Sequence, residues 1–175
     1  MTRKQRKIVY PTIFFIGLIL IIWEIEIYRN TVINKYILLG IIFLVGFIAF
    51  ILDFDNYAKT YPKYSRLSLI VYSLMHYIIG YGFIVCSIFM LVNYYFSDKT
   101  FELKKYEIIE RSSMTGGKYR RYERQPLFRI KYEGKMKELV FPHQYYEKRN
   151  FYSEVEFKVK KGYFGFEIIE DKKLK

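Results

Sequence analysis

At 175 residues the chain has room for one membrane region and at most one small soluble domain. Its single cysteine excludes an intrachain disulfide and any structural metal site built on cysteines. The formal charge of +12 suits anionic lipid, nucleic acid or an acidic partner; the plainer reading is that it keeps a small domain soluble.

Hydrophobic residues make up 52% of the chain, and what distinguishes them is their segregation. Long apolar runs fill residues 1–96, whereas residues 97–175 alternate apolar with charged side chains. This predicts three transmembrane helices followed by a small antiparallel β-domain, a sandwich or partial barrel.

The first span is expected at 8–28, directly after the basic stretch MTRKQRK. A basic start before an apolar run also fits a signal peptide, but no small-residue cleavage site follows, so an uncleaved helix is expected. Pro11 falls near its start, where a missing N–H costs least. Trp23 and Tyr28 suit an interfacial belt. Glu24 and Glu26 lie on opposite faces of a helix and read as its interfacial end; a buried carboxylate on an ion pathway is the alternative.

A second span is expected at 31–52, with Gly40, Gly46 and Ala49 permitting close helix approach. Residues 53–66 read as a polar loop. Asp53, Asp55 and Asn56 resemble the beginning of a calcium loop, but the turn glycine and the closing glutamate are missing.

The third span, 67–96, carries no charge and would reach roughly 45 Å as one helix, against a hydrocarbon core of about 30 Å. Ser73, His76, Gly80 and Ser87 fall on one stripe of it, which predicts a helix-packing face; His76 could instead relay protons or touch a ligand. Flanking cations are nearly balanced between the two sides. The basic first span then favours a cytoplasmic N-terminus and a periplasmic C-terminal domain.

Beyond Ser97 the period becomes that of strands, with a bulge expected at Lys104–Lys105 and a turn over 112–118. Phe128, Ile130 and Tyr132 share one face, and Glu133-Gly134 reads as a tight hairpin turn into 136–141. Val155, Phe157 and Val159 alternate with charges, and a last strand is expected at 163–169, making five or six strands in all.

The densest cationic segment is GGKYRRYERQP, where Lys118, Arg120, Arg121 and Arg124 alternate with tyrosines. Arginine clamping and tyrosine stacking suit an anion or a partner surface; the spacing is not that of a P-loop. The competing reading is a solvated loop whose charges discourage edge pairing. His143 is the one imidazole in the soluble half. No nucleophile elbow, zinc-protease helix, catalytic carboxylate pair or dinucleotide fingerprint is present, which favours a binding protein over an enzyme. No cofactor and no metal site is expected.

The runs RQPLFRIKYEGKMKELVFPHQYYEK and KKGYFGFEIIEDKKL resemble small bacterial multi-span membrane proteins with a C-terminal β-domain. That resemblance implies an inner-membrane location and supplies no activity. The function expected is a non-enzymatic membrane protein presenting its basic β-domain to a protein partner or the membrane surface, with a homo-oligomer also possible. The alternative is a receptor-effector whose β-domain binds an anionic ligand while its helices oligomerise or perturb the bilayer. Nucleic acid is the least expected partner.

Overall fold

The computed structural model describes residues 1–116 and 120–175. The chain divides into two compact units, Met1–Tyr28 with Ile33–Phe96, and Arg29–Val32 with Ser97–Lys175.

The first unit contains α1 (Arg3–Asn30), α2 (Lys35–Thr60), α3 (Arg66–Tyr77) and α4 (Phe83–Tyr95). A π-helical turn, Ile78–Gly82, joins α3 to α4 without interruption. Three helices, Arg3–Asn30, Lys35–Thr60 and Arg66–Tyr95, are therefore long and apolar enough to cross a membrane.

All are close to the expected positions, but the first two are longer. Because α1 begins at Arg3, Pro11 lies inside the helix rather than in its first turn. Likewise α2 continues through Thr60, so Asp53, Asp55 and Asn56 are helical and the expected loop shrinks to a short turn. Two caps fix the starts: Asn34 accepts from the Tyr36 amide, and Ser65 accepts from the Ser68 amide before α3.

The helices meet at the π turn. A side chain on Gly17 would run into the Ile79 carbonyl oxygen, and a Cβ on Gly82 would lie 2.5 Å from the Ile42 carbonyl oxygen. Only glycine lets α1 and α2 approach the third span this closely. Gly46 packs against Ile78 in the same way, whereas Gly40 faces open space and makes no such approach. Extra backbone in a π turn displaces the helix face locally. Here the displaced segment is the one that the glycines admit.

The second unit is a five-stranded antiparallel open sheet in the order β3-β2-β1-β4-β5. Its strands are β1 (Glu102–Thr115), β2 (Arg124–Tyr132), β3 (Lys135–Val140), β4 (Glu154–Lys161) and β5 (Glu167–Leu174). The order leaves β3 and β5 at the edges, so the sheet closes into neither a sandwich nor a barrel. β1 is the long central strand, pairing with β4 through its first half and β2 through its second.

The expected turn at 112–118 is strand up to Thr115, and the β1–β2 irregularity falls between Ile108 and Glu110 rather than at Lys104–Lys105. Residues 163–165 belong to a turn, and β5 begins later than expected, at Glu167. The Glu133-Gly134 turn has positive φ at both residues, 46° and 81°, as a two-residue hairpin requires.

The alternating residues form the core. Phe128, Ile130 and Tyr132 of β2 pack with Val155, Phe157 and Val159 of β4 and with Ile108, Leu139 and Ile169. Residues 29–32, the end of α1 and the start of the connection to α2, add to the β5 edge. Thr31 bridges Ile168, and the Val32 amide donates to the Glu167 carbonyl at 2.7 Å. Lys137 Nζ donates to the Thr31 carbonyl at 2.8 Å, and Lys172 Nζ to Asn30 Oδ1 at 3.0 Å. An edge that would otherwise expose unpaired backbone is thereby partly covered.

Candidate functional sites

Two places gather chemically capable side chains, one in each unit. In the helical unit the centre is Asp53. Because α2 runs past the expected loop boundary, this carboxylate sits on a helix. Tyr10 and Tyr77 each donate a hydroxyl hydrogen bond to its Oδ2 at 2.8 Å, and Asn56 Nδ2 donates to Oδ1 at 2.6 Å. A carboxylate taken out of water needs such a shell of donors.

His76 lies in the same cluster. Its ring packs edge-on to Tyr10 and Tyr77, with centroids at 5.2 and 5.0 Å, and stacks parallel to Phe14 at 6.3 Å. Tyr57 is tilted against it at 5.5 Å. His76 is 6% exposed, and its Nε2 is buried without a hydrogen-bond partner among the described residues. A cavity of about 390 Å³ opens beside it, walled by Tyr10, Phe14, Tyr57, Tyr72, Met75 and His76 itself. Helix pairing thus brings an acid, Asp53, into the cluster that holds His76.

The rest of the stripe is also inside the helical unit. Ser73 is fully buried and returns its hydroxyl to the Leu69 carbonyl at 2.5 Å. A Cβ on Gly80 would lie 2.9 Å from the Ile13 methyl. Ser87 donates to Glu24 Oε2 at 2.7 Å, and Cys86 Sγ lies 3.8 Å from Oε1. Glu24 is 3% exposed, so its expected place at an interfacial helix end is corrected. The carboxylate is turned inward because α1 continues through Asn30 and Glu24 faces the third span.

The second place lies in the β unit, around Arg124. Its Nη1 donates to the Tyr146 hydroxyl at 3.4 Å, and its carbonyl meets His143 Nδ1 at 2.7 Å. The Arg149 guanidinium lies over the Tyr146 ring, 4.2 Å from its centroid, and the His143 ring lies nearly parallel to that ring, with centroids 6.2 Å apart. The hydrogen bond from Arg124 lowers the Tyr146 phenol below its ordinary value, and the Arg149 charge adds to the effect.

Arg120 pairs with Glu123 at 3.6 Å, and Arg121 is exposed on the turn before β2. Tyr122 on that turn is 99% exposed. Lys118 lies outside the described residues. The cationic segment is thus joined by His143, Tyr146 and Arg149. Antiparallel pairing of β2 with β3, which sets Leu127 opposite Val140, brings Arg124 to the neighbourhood of the 143–149 segment, a proximity that no local pattern encodes.

A further cavity of about 590 Å³ is lined in part by Glu133, Lys135, Lys161 and Glu167. Two of its acids are engaged: Lys104 Nζ reaches Glu133 and Glu167 at 3.1 and 3.2 Å, and Tyr132 donates to Glu167 at 2.6 Å. These charge-assisted bonds raise Lys104 above the ordinary lysine value despite the opposing effect of burial. The network reads as a structural knot. Among the described residues no group of three or more His, Cys, Asp or Glu is placed to hold a metal ion.

No protein family, no curated protein and no solved structure matches this chain.

Proposed function

We propose that this chain is a non-enzymatic, multi-pass membrane protein that presents its β-domain to an acidic protein partner through the corner around Arg124. The supporting observation is the meeting of two separate segments there: Arg124 and Arg149 both engage Tyr146, beside a turn carrying exposed Arg121 and Tyr122. Arginine and tyrosine dominate the energetic centres of protein interfaces. A projecting aromatic flanked by guanidinium groups suits a broad partner surface better than a small enclosed ligand.

In this reading the chain resides in a bacterial inner membrane, with its N-terminus cytoplasmic and its β-domain periplasmic. The motif inventory supports binding over catalysis, because no nucleophile-base pair accompanies His143. The receptor-effector alternative draws on the same corner, since two arginines around one phenol also suit a phosphate.

The test is cross-linking in membranes, followed by purification in mild detergent, of the parent chain and of the double variant Arg121→Glu with Arg124→Glu. Loss of a cross-linked species in the variant, at unchanged thermal stability, is expected. Equal recovery from both proteins would overturn the proposal. A reporter fused after Lys175 checks the orientation; fluorescence from one that matures only in the cytoplasm would overturn the periplasmic assignment.

A further inference from the structure

The cavity beside His76 serves none of the roles proposed for the β-domain. We infer that it binds the headgroup of a zwitterionic phospholipid of the ethanolamine type, taking the ammonium among its aromatic rings.

The first argument is the wall. Tyr10, Phe14, Tyr57 and Tyr72 line one space, and a cation over an aromatic face is attracted by the ring quadrupole. Behind Tyr10 stands Asp53, the carboxylate to which both Tyr10 and Tyr77 donate. Donation to a carboxylate makes a tyrosine ring more electron-rich and places negative charge behind the cage. His76 adds a buried Nε2 with no hydrogen-bond partner among the described residues. An ammonium that carries N–H bonds supplies the donor this nitrogen lacks; a quaternary ammonium does not.

The second argument is the charge at the rim. The cavity lies toward the end of the bundle where α1 and α3 begin and α2 ends. Arg3 Nε donates to the Thr60 carbonyl at 3.3 Å, fixing the basic N-terminal segment at this end. Arg6 belongs to the same basic stretch at the start of α1. Lys63 and Arg66 lie in the connection and at the first residue of α3. A free cation would meet this basic rim unfavourably. A zwitterion offers its phosphate to the rim and its ammonium to the cage, matching both charges.

The third argument is access. Tyr72 and Met75 wall the cavity and are 53% and 51% exposed on a helix long and apolar enough to span. The mouth therefore faces the side on which lipid would lie, and the occupant comes from the bilayer. Ordinary ligand cavities of about 300–1,000 Å³ bracket the space available.

The experiment uses the full chain, delipidated in detergent and titrated with phospholipids of identical acyl chains bearing ethanolamine, choline or glycerol headgroups. Bound lipid is counted by native mass spectrometry. Ethanolamine lipid is expected to bind about tenfold more tightly than the other two. His76→Phe, which keeps the ring but removes Nε2, and Tyr72→Leu, at the exposed mouth, are each expected to erase most of that preference. Tyr72→Leu keeps the test decisive if His76→Phe unfolds. Equal binding of all three headgroups, or a preference unchanged in Tyr72→Leu, would identify annular lipid only and overturn the inference. Soluble glycerophosphoethanolamine competing at the same concentration as the lipid would overturn the bilayer source. Because the Arg124 corner takes no part, this outcome is independent of the partner-docking test.

Discussion

The Ser87 hydroxyl donates to the Glu24 carboxylate at 2.7 Å inside the helical unit, tying α1 to the third span. Removing one partner of a buried hydrogen bond strands the other, at a cost of about 1–3 kcal/mol. Glu24→Ala is accordingly expected to lower the thermal midpoint of the detergent-solubilised protein. Glu24→Gln, which still accepts from Ser87, should recover most of it. Ser87→Ala should cost less, about 0.6 kcal/mol, near the measured average for interhelical bonds in membranes. Differential scanning of the three variants checks the order.

Gly17 and Gly40 should respond in opposite directions to the same substitution. Gly17→Ala drives a methyl into the Ile79 backbone carbonyl, and overpacking of this kind costs about 1–3 kcal/mol or more. Gly40→Ala meets nothing within 4 Å and gains helix propensity, so its effect should be neutral or favourable. Midpoints measured side by side in one detergent separate the two.

The Lys104 knot gives a graded prediction. Glu133 is the more exposed partner and its pairing contributes little; Glu167 is less exposed and also receives the Tyr132 hydroxyl. Glu167→Ala should therefore destabilise the β-domain by about 1–2 kcal/mol, and Glu133→Ala by less than about 0.5 kcal/mol. Hydrogen exchange of the β-strand amides during denaturant unfolding follows this domain apart from the helices.

Lys137 predicts a pH dependence. Burial, helped by the charge of Lys172, lowers its ammonium from 10.5 to about 8. The unfolded chain then holds more protons than the folded one between about 8 and about 10.5, so this group's contribution to stability grows as pH rises through that window. Below pH 8 both states carry the proton, and the full cost of burying the charge is felt. The difference in thermal midpoint between the parent and Lys137→Met should therefore change across pH 8–10, in favour of the parent at the higher pH. A constant difference would oppose this assignment.

Much of the architecture was legible in local pattern. The three apolar runs specify three long helices, because a long run so nearly free of charge has little alternative. The parity of Phe128, Ile130 and Tyr132, and of Val155, Phe157 and Val159, specifies the buried sheet face, since a strand's side chains alternate with a period of two. The Glu133-Gly134 hairpin followed from the backbone conformation that such turns require.

What local pattern could not decide is which polar residues turn inward and whom they meet. Glu24 and Asp53 sit near charged flanks that resemble the ends of spans, and only the full lengths of α1 and α2 carry them into the bundle. The Asp53–Tyr10–Tyr77 cluster draws on all three spanning helices, and the Arg124–Tyr146–Arg149 corner joins a strand to a distant loop. Hydrophobic periodicity is a property of consecutive residues and survives in the sequence alone. The pairing of a carboxylate with its donors depends on helix packing at glycines and on strand order, which arise only when the chain folds.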